Sequence, residues 1–402
     1  MIKKEIKKII KEYRQQMVNT LCELVAIPTS NPPGSYYKQC VDYLSSILKE
    51  IKIDYDMIQI PHRDYPRFSL LGAYGKGKNS IHFHGHYDVV PADSPSQFRP
   101  HLREDCLHGR DSSDMKGGLV AMLFALRVIK DCGIKLKGRI TFSLVPDEET
   151  GGRLGTTYLF DSGLLPLDGC LGMLMPEPTS GVIWNANKGA LTYRIEIKGK
   201  SAHVGLEHQG VNAFEQMVRI ASSLMKLKKE IQKRRTPMSI NPPQANRSVM
   251  LIGGESRSGV SFNVVPDKAY FTVDRRLNPE EKLDEAKKEL EDILESYREK
   301  GVNIETQILQ EGEPSAVRSD TPLAVALRES IEDVTGKAPA FELCPGLCEI
   351  RFFYKRGIPA YAYGPGLLEV SHGPQEYVKI NHILDGTAVY ALTALRLLGQ
   401  EK

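Results

Sequence analysis

The chain lacks the features that would set it apart from ordinary globular proteins. Its longest apolar run, Leu119 to Leu126, is far too short to span a bilayer. The seven cysteines of the 402 residues are scattered and form no C-x-x-C pair. An odd, dispersed set argues against a disulfide framework and for reduced thiols in the cytoplasm. A net charge of +3 is too small to argue for a nucleic-acid partner. No G-x-S-x-G occurs, so a serine hydrolase has no support. Internal repeats and low-complexity segments are missing. The basic, amphipathic segment from Met1 to Met17 has no continuous apolar core of the signal-peptide kind. Glu5 and Glu12 interrupt its basic face, which favours a helix packed on the domain over one lying on a membrane.

What is present has the size for two domains. In the first half, strands alternate with helices. Ser80–Gly85 puts His82, His84 and His86 on one side of a strand and Ile81 and Phe83 on the other. Gly117–Lys130 reads as a mostly apolar helix. Arg139–Val145 and Cys170–Met175 read as strands stopped by Pro146 and Pro176. This alternation predicts a mostly parallel sheet covered on both faces, an α/β fold. Near Lys188 the pattern changes. Strands at Leu191–Ile197, Ser248–Gly253, Ala269–Leu277 and Val302–Leu309, with helices at Asn212–Ile231 and Pro279–Lys300, give a βαββαβ order. A helix at Pro322–Thr335 and a strand at Ile358–Tyr363 then resume the first pattern. The expected organisation is a discontinuous catalytic domain, 1–187 and 313–402, with a ferredoxin-like domain inserted at 188–312.

Acids and histidines cluster after the strand-like runs: His86 and Asp88 in H-G-H-Y-D-V-V-P, Asp114 in S-S-D-M-K-G-G, Glu148 and Glu149 in P-D-E-E-T-G-G, and Glu177 in P-E-P-T. His372, in S-H-G-P-Q-E-Y, follows the last strand. Ligands of open parallel sheets bind beyond the carboxyl ends of strands. Imidazole and carboxylate are donors that zinc-like ions accept. Each signal alone has an ordinary reading. Asp114 taken alone reads as a helix cap, Glu148 and Glu149 as an exposed loop, and His86 as a surface histidine. Together they fall on one rim and read as a two-metal hydrolytic site. Asp88 is placed to orient His86. Adjacent glutamates diverge, so one can ligate while the other acts as general base.

In these motifs the chain resembles the M20 family of metallopeptidases and deacylases, nearest its acetylornithine deacetylase and succinyl-diaminopimelate desuccinylase group. The resemblance runs from Ile27-Pro28-Thr29-Ser30-Asn31-Pro32-Pro33 to His372. It implies a zinc-peptidase-like catalytic domain and an inserted lid that forms a homodimer. One metal would be held by His86, Asp114 and Glu177, the other by Asp114, Glu149 and His372, with Asp114 bridging. The bond after Asp114 is expected to be strained or cis. Zinc is the expected ion, with cobalt or manganese as substitutes. Glu148 would be the general base and Asp88 the partner of His86. His203, in Gly199-Lys200-Ser201-Ala202-His203, matches the family histidine that stabilises the oxyanion, usually from the partner subunit. Asn263 and Arg276 match substrate-binding positions, with Arg275 as a rival on the opposite face. Relatives carry a Gly-rich segment with Thr and an acid near Pro345-Gly346-Leu347-Cys348-Glu349, where this chain has Cys348-Glu349. The activity implied is removal of an N-acyl group from an amino acid or related carboxylate-bearing amine. A dipeptidase or carboxypeptidase is the enzymatic alternative. A metal-dependent binding protein without turnover is the other, and it would have no need of Glu148. Substrates are expected to be small molecules, with neither nucleic acid nor membrane as partner.

Overall fold

A computed structural model describes residues 2–399. The chain forms two compact units, one of Met1–Asn185, Val317–Glu342 and Phe352–Lys402, the other of Ala186–Ala316 and Leu343–Arg351.

The first unit is built on a mixed sheet. Its centre is four parallel strands, ordered Arg139–Val145, Ser80–His86, Cys170–Met175 and Ala360–Ala362. Arg67–Gly75 and then Tyr55–Ile60 extend one edge antiparallel. Ser80–His86 is buried along its whole length, as expected for a strand covered on both faces. The helix Gly117–Asp131 is almost wholly apolar and packs between the N-terminal helix Ile2–Ala26 and the C-terminal helix Ile380–Leu398. Leu119, Leu123, Leu126 and Ile129 are all fully buried there. Each such side chain contributes about 1.5–3 kcal/mol. The N-terminal helix sends Ile6, Ile10, Met17, Leu21 and Leu24 into this core, so its apolar stripe is used in packing. Among the described residues no helix is long and apolar enough to cross a membrane.

Both the first and third parallel strands end in proline, Pro146 and Pro176. Proline lacks the N–H needed to extend the ladder. The chain must leave the sheet there, and the acids follow at once. Gly118 lets the start of the Gly117–Asp131 helix close on this rim, since a Cβ there would lie 2.1 Å from the Pro176 carbonyl oxygen.

The second unit has an antiparallel sheet ordered Val249–Ser258, Lys268–Leu277, Gly189–Lys198 and Asn303–Gly312. Helices Ala213–Ile231 and Leu283–Arg298 complete a βαββαβ succession. Asn212 caps the first helix, its Oδ1 accepting from the Phe214 and Glu215 amides. Ile195, Ile197, Ile220, Leu224, Phe271 and Leu290 belong to the core of this unit. The segment Leu343–Arg351 departs from the expected boundary, which placed it with the first unit. Leu343 packs with Ala186 and Ile240, and the Lys188 amide donates to the Cys344 carbonyl at 3.2 Å. These contacts tie it to the second unit.

Candidate metal centre

The strand ends bring two triads of donor atoms together: His86 with Asp114 and Glu177, and Asp114 with Glu149 and His372. Within each triad the donor atoms lie within 4.8 Å of one another. Nε2 of His86 is 3.6 Å from Asp114 Oδ1 and 3.7 Å from Glu177 Oε1. Nε2 of His372 is 3.2 Å from Asp114 Oδ2 and 3.1 Å from Glu149 Oε1. Asp114 thus turns one oxygen toward each triad.

The electrostatics call for cations. Asp88, Asp114, Glu148, Glu149 and Glu177 act on two imidazoles, His86 and His372. Burial pushes the Glu177 carboxyl well up, reinforced by Asp114 nearby, and burial raises Glu149 as well. Burial opposes charge on Asp114 too, but His372 and His86 hold its carboxyl well below the usual range. Burial likewise opposes charge on His86, yet Asp114, Asp88 and Glu177 keep its imidazolium well above the ordinary value. Such crowding is costly unless cations or protons balance it. The buried Nε2 of His86 has no hydrogen-bond partner among the described residues. An orphaned imidazole nitrogen facing two carboxylates, beside a second His-carboxylate triad, fits a pair of divalent ions in donor type and number.

The supporting residues refine the expected roles. Nδ1 of His86 bonds the backbone carbonyl of Asp88 at 3.0 Å, while the Asp88 carboxylate stands 3.6 Å away. This backbone bond leaves Nε2 as the free donor. The carboxylate instead fixes the acidic turn, accepting from the amides of Glu148 at 3.1 Å and Glu149 at 3.2 Å. Asn31 Nδ2 donates to the same carboxylate at 2.8 Å. Asp147 adopts a left-handed φ of 77° to start this turn, and its Oδ2 accepts from the Leu154 amide at 2.7 Å. The Asp114–Met115 peptide is cis.

The sequence motifs do not single out Glu376. Its Oε1 accepts from the amides of Ser113 and Asp114, both at 3.1 Å, and its Oε2 from Arg110 Nη1 at 2.9 Å. It grips the backbone that carries the shared acid. Its place four residues after His372 was the available signal. Lys116 is fully buried and ties this loop to the N-terminal region, donating to the Ile27 carbonyl at 3.0 Å and pairing with Asp111 at 3.2 Å.

The remaining candidates lie in the second unit. His203 begins a short turn, with Nδ1 accepting from the Gly205 amide at 3.1 Å. The Val204 amide donates to the Asn263 carbonyl at 3.0 Å and His203 pairs with Val264, so His203 and Asn263 lie on two stretches of backbone that face each other. Arg276 is turned back on Asp274, with bonds of 2.8 and 3.0 Å. Arg275 is buried and bonded to Glu281 and Glu289, which removes it as a rival for substrate. Cys348 and Glu349 are buried within the same unit.

Fold and site together define a metal-dependent hydrolase of amide bonds. The family description Peptidase family M20/M25/M40 matches residues 82–396, and the chain belongs to that family. A probable succinyl-diaminopimelate desuccinylase of Staphylococcus epidermidis is 25% identical, covering 94% of this chain and 96% of that one. An N-formyl-4-amino-5-aminomethyl-2-methylpyrimidine deformylase of Halalkalibacterium halodurans is 24% identical, covering 94% and 93%. Among solved structures, the di-peptidase Dug1p of Saccharomyces cerevisiae shares the fold, with a TM-score of 0.80, 15% identity and coverage of 100% and 99%.

Proposed function

We propose that the protein removes an N-acyl group from an amino acid or a related carboxylate-bearing amine, in the manner of an acetylornithine deacetylase. The observation that carries the reading is the pair of donor triads sharing Asp114. Zinc is the ion that suits these donors best, with cobalt or manganese as alternatives. When bound, the ions supply Lewis acidity toward the scissile carbonyl and an activated water. His86, Asp114 and Glu177 hold one, and Asp114, Glu149 and His372 hold the other. The amide of Glu148 is anchored on Asp88, beside the ligand Glu149. Glu148 takes the proton of the attacking water and gives it to the leaving amine. Asp88 fixes both the tautomer of His86 and the turn bearing the two glutamates. His203 donates to the oxyanion, reaching the site from the partner subunit of a homodimer. Asn263 and Arg276 bind the substrate, Arg276 exchanging Asp274 for a substrate carboxylate.

Two similar proteins bearing names of deacylases support a deacylase over a peptidase. A panel of N-acetyl, N-succinyl and N-formyl amino acids against dipeptides, with zinc or cobalt present, tests the choice. Faster turnover of every dipeptide would replace the deacylase by a dipeptidase on the same centre. Cytoplasmic location is part of the proposal, resting on the seven scattered cysteines, all of them free.

A further inference from the structure

A cavity of about 500 Å³ in the first unit has a chemistry that hydrolysis does not use. Its volume is that of a small-molecule site. Arg99, Arg103 and Arg110 line it together with His101 and His108, and Glu376 is the one acid in its wall. That acid is already engaged by Arg110 and by two backbone amides. Arg99 has no ion pair among the described residues. Arg103 meets only Glu104, at 3.5 Å, and both side chains are largely exposed, so the pair screens little. The rings of His101 and His108 stack with centroids 5.0 Å apart, which aligns two more nitrogen-bearing edges in the same wall. Arg110 is 2% exposed, and its Nη1 is held by Glu376 and the Gly373 carbonyl, so it stands in the wall as a fixed, permanent positive charge.

We propose that this cavity binds a small oxyanion of two or more negative charges, a phosphate- or polycarboxylate-bearing metabolite, gripped by Arg99, Arg103 and Arg110. Guanidinium groups match phosphate and carboxylate oxygens in geometry and keep their charge at every physiological pH. The cavity shares Arg110 and Glu376 with the support of the metal centre, so its occupant touches the arm that holds the Asp114 backbone.

Isothermal titration calorimetry of the metal-loaded protein, dialysed free of excess metal, tests this with three probes: inorganic phosphate, citrate and chloride. Phosphate or citrate is expected to bind with a dissociation constant of about 1 mM or below, and chloride not to bind. The tighter of the two identifies the source as a phosphate ester or a polycarboxylate. Arg99→Ala/Arg103→Ala alters exposed side chains and is expected to weaken that binding at least about tenfold. Three outcomes overturn the proposal: no binding of either oxyanion, equal binding of chloride, or affinity unchanged in the double variant. The last would place the anion on the metal ions instead.

Discussion

Glu376→Gln is the sharpest probe of how the fold holds the shared acid. The carboxylate is 1% exposed and its partner Arg110 2%. It accepts two backbone N–H groups through one oxygen and a guanidinium through the other. Glutamine keeps the shape but removes the charge, so no cavity forms and the effect is electrostatic. Breaking a buried ion pair from one side costs about 3–5 kcal/mol, because the other charge stays buried. Arg110 keeps one further bond, to the Gly373 carbonyl at 3.1 Å. The expected loss is therefore near the lower end, about 3 kcal/mol. The amide of Asp114 loses a charged acceptor at the same time, which loosens the residue both triads share. Removing such supporting partners lowers metal affinity by about 10–100-fold. Urea unfolding of the metal-depleted protein reads the first effect as a shift of midpoint at constant slope. Competition with a chelator reads the second. A stability change within about 0.5 kcal/mol, the range of an ordinary surface substitution, with unchanged metal affinity, would refute the role given to Glu376.

Glu148→Gln is expected to keep both metals and lower kcat by about 10²–10⁴-fold, and near-normal turnover would remove Glu148 as the base. Metal uptake should release protons at pH 7. Although burial opposes its charge, Asp114 and Glu149 hold His372 up at about 11, and His86 is raised as well. Both are protonated in the metal-free chain, while ligation needs neutral imidazole. Apparent metal affinity therefore rises with pH below those raised values and falls as the pH drops. Calorimetry in buffers of different ionisation enthalpy would contradict this by finding no proton release. His203→Ala should lower kcat by about 10²–10³-fold with little change in metal content. Mixed with Glu148→Gln protein it should regain activity in heterodimers, and no recovery would sink the cross-subunit role.

The sequence made the chemistry more legible than its supports. Pro146 and Pro176 stop apolar strands, and the acids come straight after, so the rim could be read from local order. The helix Pro322–Thr335 matched residue for residue because Thr321 caps it and Gly336 ends it in a left-handed turn. Long-range partners were hidden. Glu376 meets Ser113 across more than 260 positions, and Asn31 meets Asp88 across 57. No periodicity announces such pairs. The role of Asp88 was visible only in outline, because a main-chain carbonyl takes the bond to His86 and sequence does not show main-chain direction. The strand expected at Ile358–Tyr363 shortens to Ala360–Ala362. Leu343–Arg351 changed units because its partners, Ala186 and Ile240, are distant in sequence.

Asp114 serves both triads. Metal content per chain, measured by atomic emission after gel filtration, tests it directly. The unaltered protein should carry two ions, Glu149→Ala and Glu177→Ala one each, and Asp114→Ala none at useful affinity. An Asp114→Ala protein that retains one tightly bound ion would show that the triads are separate sites.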